Sequence, residues 1–231
     1  MQITPVNSGA NFQANHLRTA QRLASKTQRK ASVDIYSISK EDAPLINNLL
    51  MKLDLGTRSD SSAIKEQGDV NSTIRRILTK ALRLDKNSSD GVMIAVKNGD
   101  EFSGALDYTN GGTPLINNLV SWRGNQGNMS RANLFSEFLR KVARSNSRSN
   151  EMNQTDVVVY TNERTNAYRW LKANGFNAPK QDNSSRVRMV LNSEDILPLA
   201  QNVESLTEHL TALKINRNTP HKEVELTTLK F

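Results

Sequence analysis

A stretch rich in glycine and asparagine, RGNQGNMS at residues 123–130, has residue types and spacing that could do chemistry. It follows an alternating apolar segment and precedes apolar residues at helical spacing. A strand that ends in a glycine-containing turn and opens a helix can hold a phosphate group, because backbone N–H groups and the helix dipole point at it. The pattern therefore indicates an anion site, although it also fits a polar loop capped by Ser130.

The sequence lacks the residue patterns of several other kinds of functional site. The chain has no cysteine, which excludes disulfides, thiolate metal ligands and cysteine nucleophiles. Its histidines lack metal-ligand spacing, so we expect no metal site; they are His16, His209 and His221. No Ser-His-Asp arrangement or Walker-type lysine loop is recognisable. No apolar run approaches the roughly 20 residues that a membrane span requires.

The charge of the chain is unevenly distributed. Of the net charge of +8 on 231 residues, +5 falls in residues 1–33, which contain no acid. The rest of the chain is therefore only mildly basic, whereas a nucleic-acid binder usually has a basic face on its folded part. Nucleic acid is accordingly the less favoured partner.

The N-terminal residues 1–32 are expected to form a flexible basic leader. Arg18, Arg22 and Lys26 recur at every fourth position, which predicts a basic helix over residues 14–30 after a disordered, polar segment. Such a segment is compatible with a solvated leader of a cytoplasmic bacterial protein. A leader free of acids also resembles the secretion signals of type III effectors and, more loosely, a mitochondrial transit peptide.

The first of the elements that must position the turn is a predicted strand at residues 33–38. A helix follows Ser39 and Asp42 as far as Gly56, then a loop at 57–68 and a second helix around Ile74. The period next changes from 3.6 to 2, which predicts three antiparallel strands at 91–96, 101–108 and 113–122. The hexapeptide PLINNL occurs in the first helix and in the third of these strands.

The remaining pattern alternates helices with strands. After the glycine turn we expect a helix around residues 134–142, a strand at 155–161, a helix ending at Gly175 and a strand at 184–191. Leucine and valine at heptad spacing from Leu199 to Leu213 predict a C-terminal helical seam within residues 193–231. Residues 224–231 are a candidate final strand.

Residues 162–176, NERTNAYRWLKANGF, resemble the last helix of the GNAT N-acetyltransferase superfamily, where an Asn, an Ala and a terminal Gly-Phe recur after a short strand. The order of the preceding elements extends the resemblance over a domain at residues 33–192. It implies an α/β (α+β) fold, in which a mixed, mostly antiparallel central sheet is flanked by helices.

The resemblance also implies an acyl-CoA site with acetyl-CoA as co-substrate. The strand at 116–122 would pair with the pantetheine arm, and the turn at 123–130 would hold the pyrophosphate. The turn matches the family pattern best if Asn125 opens it, since Asn128 and Ser130 then occupy the places of two small residues; opening it at Arg123 is the other register. The expected cofactor-binding residues are Asn118, Val120, Trp122, Arg123, Gly124, Asn125, Gln126, Gly127, Asn128, Ser130 and Asn162.

Catalytic residues are less clearly matched. Leu171 stands where many members of the superfamily have a tyrosine acid, and Tyr168, one turn earlier, is the candidate substitute. The predicted strand at 113–122 has no carboxylate to act as a base, so the candidates are Asp107 and Glu163. Core packing of Tyr168 and ordinary surface positions for the two acids are the alternatives.

These features favour an acetyl-CoA-dependent N-acetyltransferase that acts on a protein or peptide amine, for which delivery into a host cell as a bacterial effector is one hypothesis. Two other hypotheses remain open. One is a non-enzymatic interaction protein on the same fold. The other is an acetyltransferase directed at tRNA or another nucleic acid. The sequence predicts no oligomeric state.

Overall fold

The computed structural model describes residues 14–23, 30–56, 64–98, 101–121, 127–149, 154–163, 166–178, 186–202 and 213–214. Within these ranges the chain forms eight β-strands, five α-helices and a short 3-10 helix at Lys40–Asp42. The strands are β1 Asn15–Leu23, β2 Lys30–Ile38, β3 Gly91–Lys97, β4 Glu101–Thr109, β5 Leu115–Ser121, β6 Val157–Thr161, β7 Val187–Leu191 and β8 Leu213–Lys214. The helices are α1 Ala43–Gly56, α2 Ile64–Ala81, α3 Gly127–Asn146, α4 Asn166–Ala173 and α5 Ser193–Gln201.

All eight strands belong to one sheet, in the order β7-β6-β5-β4-β3-β2-β1-β8. Each neighbouring pair is antiparallel except β5 and β6, which are parallel. The predicted fold class, a mixed and mostly antiparallel sheet flanked by helices, is therefore confirmed.

Helices cover both faces of the sheet. One hydrophobic core joins α1 and α2 to the first face, and a second joins α3, α4 and α5 to the other. The central strand β3 contributes Val92, Ile94 and Val96 to the first core and Met93 and Ala95 to the second. Burial on both faces explains why its sequence is continuously apolar rather than alternating.

The start of α1 follows its sequence signal. The Ser39 backbone N–H donates to Asp42 Oδ2 at 3.0 Å, which forms one half of a capping box. The first PLINNL is helical, with Leu45, Ile46 and Leu49 in the core. The helix α2, however, begins at Ile64, inside the segment predicted as a loop.

The predicted basic helix over residues 14–30 is wrong. Residues 15–23 are strand β1, and β2 starts at Lys30, so the sheet extends into the expected leader. Residues four apart share a face in a strand as well as in a helix, and the spacing of Arg18 and Arg22 therefore could not distinguish the two. The antiparallel pairing with β2 favours the strand. Residues 1–13, predicted to be disordered, lie outside the described residues.

Arg18 ties β1 to α3. Its Nη1 donates to Ser136 Oγ at 3.1 Å, its Nη2 donates to Asn133 Oδ1, and Glu137 Oε2 lies 4.0 Å from Nη1. The side chains of Arg18 and Glu137 are only 9% and 3% exposed. Glu137 also accepts a 2.6 Å bond from Arg144. β1 is thus joined to α3 by a buried ionic and hydrogen-bonded cluster.

The pKa values in this cluster are shifted by burial. The pKa of Arg18 is lowered to about 10, chiefly by burial and then by the nearby Arg140, while Glu137 acts in the opposite direction. Burial likewise raises the pKa of Glu137, against the effect of Arg18, Arg144 and Arg140. Both side chains are therefore desolvated, and loss of Arg18 would leave the buried Glu137 with one fewer neighbouring cation.

The predicted helical seam from Leu199 to Leu213 is wrong at its distal end. The helix α5 ends at Gln201, and Leu213 lies in β8, which pairs with the edge of β1 through Arg22↔Leu213 and Gln21↔Lys214. Open backbone groups at a strand edge provide a partner that heptad spacing does not reveal. The candidate final strand at 224–231 lies outside the described residues.

Candidate functional site

The strands β5 and β6 separate soon after they meet. Their parallel pairing consists of Leu115↔Val158 and Ile116↔Val159, and no pair beyond these joins them in the described part of the chain. From Asn118 to Ser121, β5 stays paired with β4 on its other side. Beyond Ile116, one edge of β5 therefore has no paired strand among the described residues, and we call the gap between the diverging β5 and β6 the cleft.

A β-bulge lies at the point of separation. The register of β4 with β5 passes from Tyr108↔Ile116 to Asp107↔Asn118, so Asn117 is an extra residue in β5. Bulges bend a strand and increase its twist, which turns β5 away from β6. Asn117 Nδ2 donates to Thr109 Oγ1 at 2.9 Å across the bulge.

The bulge also changes which side chains share a face. Strict alternation predicts Ile116 on the same side as Asn118 and Val120, and this is wrong. Ile116 and Leu119 pack in the core beneath α3, whereas Val120 packs in the core beneath α1 and α2. The extra residue shifts the alternation by one position, which sequence periodicity does not show.

The helix α3 starts earlier than the glycine turn predicts. It begins at Gly127, so Gly127 and Asn128 belong to its first turn, while Trp122, Arg123, Gly124, Asn125 and Gln126 lie outside the described residues. N–H groups in the first turn of a helix have no intrahelical partner, and the dipole is positive there. The start of α3 thus remains a candidate for anion binding.

Ser130 holds α3 against the sheet. It is fully buried, its Oγ donates to Ser103 Oγ at 2.8 Å, and Ser103 Oγ donates to the Ala95 carbonyl at 3.1 Å. Ser103 is itself a bulge residue, because β3 and β4 pair through Ala95↔Gly104 and then Val96↔Phe102. The Ser130 hydroxyl is therefore engaged, and its predicted contact with phosphate would have to come from its backbone.

Gly104, on β4, allows both β5 and α3 to approach β4 closely. A Cβ at this position would lie 2.8 Å from the Val120 carbonyl oxygen and 3.2 Å from Leu134 Cδ1. We expect Gly104→Ala to displace β5 and to lower the free energy of unfolding by about 1–3 kcal/mol, measured by urea denaturation. Gly111→Ala is the matched control, since nothing lies within 4 Å of its new Cβ. Equal midpoints for the two variants would contradict a close-packing role for Gly104.

Two predicted site residues, Asp107 and Asn118, are brought together beside the cleft. Asn118 Nδ2 donates to Asp107 Oδ1 at 2.7 Å, and Lys80 Nζ lies 3.1 Å from Asp107 Oδ2. Arg76 Nη2 donates to Asn118 Oδ1 at 3.3 Å. Asp107 is buried, and the resulting chain of polar groups runs from α2 across β4 to β5. It can hold a carboxylate and an amide in fixed positions next to the open edge of β5.

The remaining predicted site residues in the described part of the chain, the cofactor-binding Asn162 and the catalytic Glu163 and Tyr168, follow β6. Asn162 and Glu163 are exposed and directly follow β6. Tyr168 is half-buried on α4 and packs against the core beneath α3. Leu171 is buried in that core, and Gly175 has a φ of 86°, the left-handed helix end that the sequence predicts.

Sequence reasoning missed three residues on the α2 side of the cleft: Arg76, Tyr160 and Arg188. Arg76 lies on the polar face of an amphipathic helix, where any solvated cation would be expected. Tyr160 had a usable signal, because alternation in TDVVVYT places it on the face opposite Val157 and Val159. The position of Arg188 depends on the pairing of β6 with β7, which no local pattern reveals.

The described ranges contain no group of three metal-ligating side chains. None of the described helices is long and apolar enough to cross a membrane.

Comparison with known proteins yields similarities of fold. No family model matches the chain, and no curated protein matches it. PaiA N-acetyltransferase from Thermoplasma acidophilum, solved with coenzyme A, is 14% identical over 68% of this chain and 97% of its own, with a TM-score of 0.40. Ribosomal-protein-S5-alanine acetyltransferase from Vibrio fischeri is 14% identical over 71% and 94%, with a TM-score of 0.41.

A third solved structure, of mutant forms of the spermidine/spermine N-acetyltransferase SpeG from Vibrio cholerae, is 9% identical over 72% of this chain and 98% of its own, with a TM-score of 0.41. All three carry the names of acetyltransferases. At these identities the likeness concerns the fold alone.

Proposed function

We propose that the chain is an acetyl-CoA-dependent N-acetyltransferase that acts on a protein or peptide amine. The observation that carries the proposal is the separation of β5 from β6 at the Asn117 bulge. It leaves a strand edge that can accept a further extended chain of amide groups, as an added β-strand would. The pantetheine arm of CoA is such a chain.

The start of α3 supports the same ligand. It follows β5 in the chain, so a molecule running along the open edge of β5 would reach the N–H groups of Gly127 and its neighbours. Those groups and the helix dipole favour a pyrophosphate. Anchoring of Ser130 to Ser103 would hold this end of α3 in place.

The residues beside the cleft suggest how transfer would proceed. Acetyl-CoA, when bound, supplies a thioester carbonyl, and the chain has to orient the acceptor amine and remove its proton. Asp107 is our proposed base, acting directly or through one water, with Asn118 and Lys80 fixing its carboxylate. Glu163 remains the second candidate base, and Tyr168 remains the candidate acid for the departing thiolate.

Binding of CoA tests the proposal. We expect CoA at about 100 times its dissociation constant to raise the free energy of unfolding by roughly 2.7 kcal/mol, because it binds the folded chain only. Isothermal titration calorimetry gives the dissociation constant, and urea denaturation with and without CoA gives the stabilisation. A titration without heat and without stabilisation would rule out the acetyltransferase.

One alternative has a specific observation in its favour. Leu171, buried at the position of the usual acid, is compatible with a protein that keeps the fold but serves in binding other proteins. Binding of CoA without transfer of labelled acetyl groups would favour that alternative. Delivery into host cells stays a hypothesis, and the pairing of β1 with β2 shows only that residues 15–23 are part of the sheet.

A further inference from the structure

We propose that the acceptor is an acidic peptide segment, and that Arg76 and Arg188 bind its carboxylates on the α2 side of the cleft. This inference rests on the proposed acetyl transfer and names the class of its second substrate. We call the surface made by Arg76, Asn118, Tyr160 and Arg188 the acceptor face.

The pairing of β6 with β7 places Tyr160 and Arg188 on one face. They are direct partners in the antiparallel register, and opposed residues point to the same side of a sheet. Their neighbours Val159 and Met189 pack into the core beneath α3, so Tyr160 and Arg188 point to the opposite side, which is the α2 side. Tyr160 is 52% exposed, and Arg188 is exposed as well.

Arg76 brings a second guanidinium group to this side. It is exposed on α2, and it donates to two neutral oxygens, Asn118 Oδ1 at 3.3 Å and Thr73 Oγ1 at 3.5 Å. Asn118 is the residue that follows the bulge, where β5 has left β6. Arg76 therefore lies beside the open edge of β5, where a transferred acetyl group would be presented.

The charges of both arginines are available to a ligand. Neither forms an ion pair with a carboxylate among the described residues. The buried carboxylate of this region, Asp107, is paired with Lys80 at 3.1 Å. An acceptor entering from the α2 side would thus meet two guanidinium groups that lack a carboxylate partner in this part of the structure.

This arrangement suits a peptide with carboxylates near its amine. Guanidinium groups bind carboxylates through paired hydrogen bonds, and the exposed Tyr160 ring offers a flat apolar surface with a polar end. Nucleic-acid binders commonly contact about 6–10 phosphates. Two guanidinium groups can bind fewer anionic groups than that, and they match the one or two carboxylates of an acidic peptide.

Fluorescence anisotropy with two labelled decapeptides tests the inference. Both have a free N-terminal amine, and the same positions carry Asp and Glu in one and Lys in the other. We expect the acidic peptide to bind more tightly, with an affinity that falls as salt rises. Arg76→Gln and Arg188→Gln should each weaken its binding about two- to fivefold, as for an exposed ion pair. Arg148→Gln, an exposed arginine at the end of α3, should leave it unchanged.

The outcomes separate this inference from the proposed function. Equal binding of the two peptides, arginine variants that bind like the wild type, or a 20-nucleotide RNA that displaces the acidic peptide would each overturn the acidic acceptor. Arginine-dependent binding of the acidic peptide without any binding of CoA would overturn the acetyltransferase instead. If both bind, Arg76→Gln should raise KM for the acidic peptide more than it lowers kcat, and Arg76→Lys should restore part of the loss.

Discussion

Arg18→Met is expected to lower the free energy of unfolding by about 3 kcal/mol. The substitution removes charged hydrogen bonds to Asn133 and Ser136, both of which are fully buried, and it takes a cation away from Glu137. A buried polar group that loses its partner retains the cost of its desolvation. Urea denaturation followed by circular dichroism measures the loss.

Two further variants identify the cause of this loss. Arg148→Met removes an exposed arginine and should change the free energy of unfolding by no more than about 0.5 kcal/mol. Adding Glu137→Met to Arg18→Met should recover part of the stability, because the double variant has no buried carboxylate that has lost the charge of Arg18. A double variant that is less stable than Arg18→Met by the full cost of Glu137→Met alone would show that the two side chains do not interact.

Asp107→Asn is expected to lower kcat for acetyl transfer about 100-fold, the smaller end of the usual contribution of a general base. The amide keeps the shape of the side chain but cannot accept the proton of the acceptor amine. The affinity for CoA should change much less than kcat, since Asp107 touches the side chain of Asn118 and the expected pantetheine contacts are to the backbone edge of β5. Single-turnover transfer of labelled acetyl groups and calorimetry give the two quantities.

A purely structural role for Asp107 would produce a different result. Its ion pair with Lys80 would then matter most, and Lys80→Met would reproduce both the loss of rate and any loss of stability. If Asp107 is the base, Lys80→Met should lower kcat much less than Asp107→Asn does, because the carboxylate that accepts the proton is still present. Glu163→Gln, at an exposed position after β6, should change kcat by no more than about twofold if Asp107 is the base.

The elements with strong local signals were predictable. The capping residues Ser39 and Asp42, the change of period at Gly91 and the left-handed Gly175 each mark a boundary through an interaction within a few residues. The two copies of PLINNL show that the same six residues can adopt different secondary structures. One is in α1 and the other in β5, because flanking residues rather than the six letters determine the structure.

The elements that depend on distant partners were not predictable. The contacts of Arg18 with α3, more than 110 positions away, stabilise β1 as a strand. The four-residue spacing of Arg18 and Arg22 fits a helix equally well. β8 is a two-residue strand that exists because the edge of β1 is open. In both cases a contact between distant segments outweighs a local preference that is worth only tenths of a kcal/mol per residue.

The sequence by itself determined the order of strands and helices within residues 33–192, the start of α1 after Ser39 and Asp42, and the left-handed end of α4 at Gly175. These follow from periodicity, capping and turn chemistry, which act over a few residues. Only the tertiary structure decided that β5 leaves β6 at Asn117, that Asp107 meets Asn118 and Lys80, and that Arg76 and Arg188 face the same side. A bulge and a sheet register are relations between strands, so a pattern along a single strand cannot specify them.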